Sequence, residues 1–116
     1  MKRVLVVDDS AFMRLTIKNT LPHEEYDVVG EAENSQEAIQ KYKELNPDIV
    51  TMDIIMPVES GMLAVKNIMQ HDPKAKILMV SAIGQEQIVQ EAINVGAKGF
   101  VIKPFKKEEL LGALKK

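Results

Sequence analysis

The feature that most limits this chain is a regular alternation of two hydrophobic periods. Short aliphatic runs recur, each followed by a longer segment whose apolar residues fall three and four apart. The first pattern suits a strand buried on both faces, the second an amphipathic helix. Arg3–Val7 (RVLVV), Tyr26–Ala32 (YDVVGEA), Asp48–Met52 (DIVTM), Lys76–Val80 (KILMV) and Gly99–Ile102 (GFVI) read as strands. Tyr26–Ala32 is the more polar run, which places it at a sheet edge. Helices are predicted at Ala11–Leu21, Asn34–Leu45, Gly61–Gln70, Gln85–Val95 and Lys107–Leu114.

The inward faces follow from spacing. They are Met13, Ile17 and Leu21 in the first helix, and Ala38, Ile39, Tyr42 and Leu45 in the second. The third turns Met62, Val65, Ile68 and Met69 inward, the fourth Ile88, Val89, Ala92 and Ile93, and the last Leu110, Leu111 and Leu114. Pro22 and Asn46-Pro47 stop two helices, and Gly96 follows a third as its C′ residue. Asn34 with Glu37 forms a capping-box pattern. Five β-α units in succession imply an α/β fold: an open, doubly wound, five-stranded parallel sheet with helices on both faces. Crossovers are expected to be right-handed. Five units fall short of an eight-stranded barrel.

Composition narrows the functions open to such a fold. A chain of 116 residues makes one domain over residues 1–116, with a radius of gyration of about 13 Å. It has no cysteine, so disulfides, thiolate metal sites and cysteine nucleophiles are excluded. The net charge of −2 gives no electrostatic footprint for nucleic acid or an anionic membrane. No apolar run is long enough to span a bilayer or to serve as a signal peptide. A cytoplasmic monomer is expected.

The chemistry lies where the strands end. Asp8-Asp9 follow Val7, Asp53 follows Met52, Ser81 follows Val80 and Lys103 follows Ile102. Parallel strands present their C-terminal ends along one edge, where ligands bind in open α/β sheets. Asp8, Asp9, Asp53, Ser81 and Lys103 therefore converge. Three carboxylates in one crevice repel, and a hard divalent cation is the simplest remedy. Mg²⁺ fits, since it takes carboxylates together with waters and phosphate oxygens. The cation and Lys103 would balance the three aspartates. A site so neutralised can receive a phosphoryl group, with a carboxylate as nucleophile and the hydroxyl and ammonium on the transferring oxygens.

Four fragments carry a resemblance across essentially the whole chain. They are Val-Val-Asp-Asp-Ser at 6–10, Met-Asp-Ile-Ile-Met-Pro with Gly61, Ser-Ala at 81–82 and Lys-Pro-Phe at 103–105. Together, in order and at strand ends, they resemble the receiver domain of two-component response regulators. Asp8–Arg14, Asp48–Asp53 and Gly96–Phe105 make the chain most similar to the chemotaxis members of that family.

The resemblance implies the flavodoxin-like strand order 2-1-3-4-5. It makes Asp53 the phosphoacceptor, with a histidine kinase as donor. Asp9 would be a direct Mg²⁺ ligand and Asp8 would act mostly through water. Asp53 and the main-chain carbonyl of Ile55 would complete the metal set. Lys103 would bind the phosphoryl group and precede a cis peptide bond to Pro104. Ser81 would move to hydrogen-bond the phosphoryl oxygens, and Phe100 would rotate into the space vacated. The chain contains no effector segment after its last helix, so its output would be binding to another protein, a flagellar-motor switch protein or its adaptor. A phosphatase is a possible further partner.

Three positions depart from the family pattern. Phe100 is often Tyr, whereas Ile55 and Ile83 stand two residues after Asp53 and Ser81, where polar residues are common. Two apolar side chains there would misorient the attacking water, so slow dephosphorylation is expected.

Each residue also has an ordinary reading. Asp9 or Ser10 could cap the first helix, Asp53 could be a loop acid, Ser81 a turn residue and Lys103 a solvated lysine. Their joint position at one sheet edge is what these readings leave unexplained. Most of the methionines suit core filling, and His23 and His71 suit solvent. Two rival functions stay open: a receiver-like binding module that works without phosphorylation, and a small Mg²⁺-dependent aspartyl phosphohydrolase. The latter usually has Asp-x-Asp at one strand end, whereas Asp53 is followed by Ile54-Ile55. A flavodoxin-like electron carrier would carry a Ser/Thr/Gly-rich phosphate loop where this chain has Asp-Asp-Ser.

Overall fold

A computed structural model describes residues 1–116. Strands and helices alternate in chain order: β1 (Lys2–Val7), α1 (Ala11–Thr20), β2 (Tyr26–Ala32), α2 (Ser35–Leu45) and β3 (Ile49–Met52). Then come α3 (Gly61–His71), β4 (Ile77–Ser81), α4 (Glu86–Asn94), β5 (Gly99–Ile102) and α5 (Lys107–Lys115). All neighbouring strands pair in parallel, in the order β2-β1-β3-β4-β5. The polar second strand is an edge, as its composition implies. The radius of gyration is 12.5 Å.

The sheet separates two apolar layers. Leu5, Val7, Val50, Met52, Ile77 and Met79 face α2, α3 and α4. Val4, Val6, Ile49, Leu78, Val80 and Val101 face α1 and α5, where Ile17, Leu110 and Leu114 meet them. Residues of β1, β3 and β4 are buried on both faces, which is why those strands read as continuous apolar runs. Met52, Met56, Met62 and Met79 are core residues, and both histidines are exposed.

Several boundaries and contacts differ from the sequence reading. β3 begins at Ile49; Asp48 just before it is tied to β1, its amide donating to the Arg3 carbonyl at 2.8 Å and its Oδ2 taking the Arg3 amide at 2.7 Å in place of a main-chain acceptor. β4 begins at Ile77 and extends to Ser81, so the serine is the last strand residue. Ile93 is 44% exposed, although its spacing places it with Ala92. α4 packs on the sheet beside β5, and Ile93 stands on the part of the helix that faces solvent. Asn34 caps α2 through the Glu37 amide, yet Glu37 returns its hydrogen bond to Glu33, one residue earlier than a capping box requires. Gly96 holds φ +120° at the end of α4, a conformation open to glycine at little cost.

β2 contains an irregularity. Val28 pairs with Val4, but the next pair is Gly30 with Leu5, leaving Val29 as an extra residue. After this bulge Glu31 stands beside Val6 and Ala32 beside Val7.

Candidate functional site

The C-terminal ends of β1, β3, β4 and β5 bring together the residues that the strand-end argument selected. Asp8 is 1% exposed, Asp53 6% and Ser81 0%, whereas Asp9 is open to solvent. A carboxylate this deep must be paired or coordinated. Asp8 is paired: its Oδ2 accepts from Lys103 Nζ at 2.6 Å and its Oδ1 from the Ser10 amide at 3.0 Å. The Asp8 amide donates to the Ala32 carbonyl at 3.0 Å. Lys103 Nζ also lies 3.5 Å from Asp53 Oδ2, so one ammonium bridges two buried carboxylates.

The choice of cap is resolved at the start of α1. Ser10 is the N-cap, its Oγ accepting from the Met13 amide at 3.2 Å. Asp9 is thereby left without a capping role and makes no ion pair. The Lys103-Pro104 peptide is cis.

Asp53 sits between opposing influences. Burial pushes its carboxyl above the usual carboxylate range. Lys103 pulls it down, Asp8 pushes it up, and the amides of Ile55 and Ile54 pull it down. Desolvation dominates, so the ionised group is held with little water around it.

The side chains present fit a hard cation. Asp8, Asp9 and Asp53 each offer a carboxylate oxygen, all within 4.8 Å of one another. An all-oxygen, carboxylate-rich set suits Mg²⁺ or Ca²⁺ over softer metals. Beside Asp9 opens a cleft of about 430 Å³ walled by Glu33, Ser35, Pro57 and Glu59. It flanks the carboxylates and contains neither Asp53 nor Lys103.

Ser81 Oγ accepts from the Ile83 amide at 3.3 Å, the one hydrogen bond of its side chain. Phe100 is half-buried against the α2–α4 layer, two residues before Ile102, which pairs with Ser81 across β4 and β5. Ile55 is 55% exposed and Ile83 half-buried. Arg14 and Glu31 also reach this end of the molecule, and nothing in their spacing marks them: they meet through the pairing of β2 with β1 and the irregularity within it.

Parallel order 2-1-3-4-5 with acids at the ends of β1 and β3 and a lysine after β5 defines a class. The family profile described as the response regulator receiver domain matches residues 4–115, and the chain belongs to that family. Within it, the chain is similar to the chemotaxis protein CheY of Thermotoga maritima: 55% identical, over 99% of this chain and 96% of that protein. It is 51% identical to CheY of Bacillus subtilis, over 98% of this chain and 95% of that protein. Among solved structures it matches the CheX-CheY-BeF3-Mg²⁺ complex from Borrelia burgdorferi. The TM-score is 0.93 at 37% identity, covering 97% of this chain and 86% of that one.

Proposed function

We propose that residues 1–116 form one receiver domain of a chemotaxis response regulator, which accepts a phosphoryl group on Asp53 from a histidine kinase. The observation that carries this is the bridge itself: a buried, partly desolvated Asp53 beside Asp8 and Asp9, with Lys103 spanning Asp53 and Asp8. A carboxylate oxygen of Asp53 attacks phosphorus, and the bond to the donor imidazole nitrogen breaks. Lys103 binds one phosphoryl oxygen and the Ser81 hydroxyl donates to another. Asp9 and Asp53, with the main-chain carbonyl of Ile55, would hold Mg²⁺, and Asp8 would act through water. Mg²⁺, when bound, supplies positive charge to the transferring oxygens.

Ser81 can make this move cheaply, since its side chain gives up only a bond that it accepts. Its shift opens space for Phe100 to rotate inward, altering the surface made by α4, β5 and α5. Ligand contacts thus bias a two-state element. That surface would bind a flagellar-motor switch protein or its adaptor, and a phosphatase would act on the same site. The relatives named for chemotaxis support this partner class, as does a solved CheY complex containing BeF3 and Mg²⁺. The protein would work as a cytoplasmic monomer; no helix is long and apolar enough to cross a membrane.

Incubation with radiolabelled acetyl phosphate tests the reading. Label should enter the protein with Mg²⁺, vanish with EDTA, and be absent from Asp53→Asn. Label that persists in Asp53→Asn would remove Asp53 as acceptor.

A further inference from the structure

All four polar groups of Asp8 have partners. Three were described above; the fourth is the main-chain carbonyl, which accepts from Arg14 Nη1 at 2.7 Å. The same guanidinium donates through Nε to Glu31 Oε1 at 2.9 Å. The Arg14 side chain is 15% exposed and that of Glu31 37%, so the arginine is sheltered where it meets Asp8 and reaches toward the surface at Glu31. Lys18 takes the other Glu31 oxygen at 2.8 Å. Arg14 of α1, Glu31-Ala32 of β2 and Asp8 therefore form a closed bracket, since the Asp8 amide donates to the Ala32 carbonyl.

The bulge in β2 makes this bracket possible. Without the extra Val29, the register begun at Val4–Val28 would set Glu31 beside Val7, whose side chain faces α2–α4. With it, Glu31 stands beside Val6, whose side chain faces α1. A one-residue shift flips a strand's side chains to the other face. Bulges are used in this way to re-aim side chains near sites.

What the bracket fixes is the turn that carries Asp9. That carboxylate is exposed and has no protein partner, so the backbone at Asp8–Ser10 is what sets the positions open to it. We propose that Arg14 is a positioning residue for the cation site. It clamps the Asp8 carbonyl, with Glu31 as its anchor, and so holds Asp9 at the spacing a small octahedral ion requires. This rests on the metal reading given under the proposed function. Groups one step removed from a metal are worth about 10–100-fold in affinity. Mg²⁺ demands near-ideal geometry while Ca²⁺ tolerates a looser cage, so a slackened turn should cost Mg²⁺ more.

Calorimetric titration with MgCl₂ and with CaCl₂ tests this on the unchanged protein and on Arg14→Met, Arg14→Lys, Glu31→Gln and Lys18→Met. Urea unfolding of each variant accompanies the titrations. Arg14→Met and Glu31→Gln should weaken Mg²⁺ by about tenfold and Ca²⁺ by less, lowering the Mg²⁺/Ca²⁺ ratio. Arg14→Lys should stay impaired, because a single compact ammonium lacks the two separate nitrogens, Nε and Nη1, through which the planar guanidinium spans Glu31 and the Asp8 carbonyl. Lys18→Met removes a cation from Glu31 without touching Asp8 and should leave the ratio unchanged. Should Arg14→Met fail to fold, Glu31→Gln and Arg14→Lys decide the matter. Wild-type affinity in Arg14→Met, full recovery in Arg14→Lys, or an equal fall for both ions overturns the inference. If the unchanged protein gives no Mg²⁺ isotherm, the metal reading itself fails and the inference falls with it.

Discussion

Gly61 lies so close to Asp53 that a Cβ on the glycine would stand 1.9 Å from the Asp53 carbonyl oxygen. The Gly61 amide also donates to the Ile54 carbonyl at 2.8 Å, fastening the start of α3 to the residue after Asp53. The obstacle is backbone, which has no rotamer to give way. Gly61→Ala must therefore push the β3–α3 loop aside. Overpacking of this kind costs about 1–3 kcal/mol, and a displacement near 1 Å at a reacting group costs about 10²-fold in rate. Urea unfolding should show the first and acetyl phosphate labelling the second. A variant that labels at the wild-type rate would mean that Asp53 does not depend on this contact.

Thr51 is fully buried in β3 between Val6 and Leu78, and its hydroxyl has no hydrogen-bond partner. A buried unsatisfied polar group costs about 1–3 kcal/mol. Thr51→Val keeps the shape and removes the cost. It should raise the urea midpoint by an amount equal to about 1 kcal/mol, with the slope unchanged. Destabilisation instead would show that the hydroxyl has a use.

Asp53 should weigh on stability in a pH-dependent way. Its folded-state pKa is raised, chiefly by burial. A carboxyl raised on folding adds stability below its unfolded pKa, and that contribution is lost as pH rises through the folded value. At neutral pH the ionised group is thus a net cost. Asp53→Asn should unfold at higher urea than wild type at pH 7 in EDTA. The gap should close as pH falls through the carboxylate range. A gap that widens on acidification would contradict the assigned sign.

The lifetime of the phosphoryl group should follow from Ile55 and Ile83. Ile55 is 55% exposed and Ile83 half-buried, so both can be changed without opening the core. Neither can orient a water by hydrogen bonding. Ile55→Asn with Ile83→Glu should speed loss of label several-fold after the donor is removed. An unchanged rate would absolve both side chains.

How much of this was legible beforehand depends on how local the cause was. The run Val4–Val7 and the acids after it belong to one strand and its end, so sequence suffices to place Asp8 and Asp9. Lys103 is equally visible, but its first partner is not. The lysine bonds Asp8 more closely than Asp53, although β3 lies nearer to β5 than β1 does, so strand order alone would not have given the preference. Ile93 is a miss of another kind: periodicity reports which face is apolar, and says nothing about whether a neighbour covers it. Glu31 is the deepest miss. Its direction depends on one extra residue at Val29, and no apolar pattern in YDVVGEA marks a bulge.

The bridge formed by Lys103 has one more consequence. The fold carries its own counterion, an ammonium already lodged among the carboxylates. The chain is therefore not held hostage to a divalent ion for its folding, as a bare acidic triad would be. A divalent ion entering the site would join this ammonium, and the two together would balance the charge of the three carboxylates.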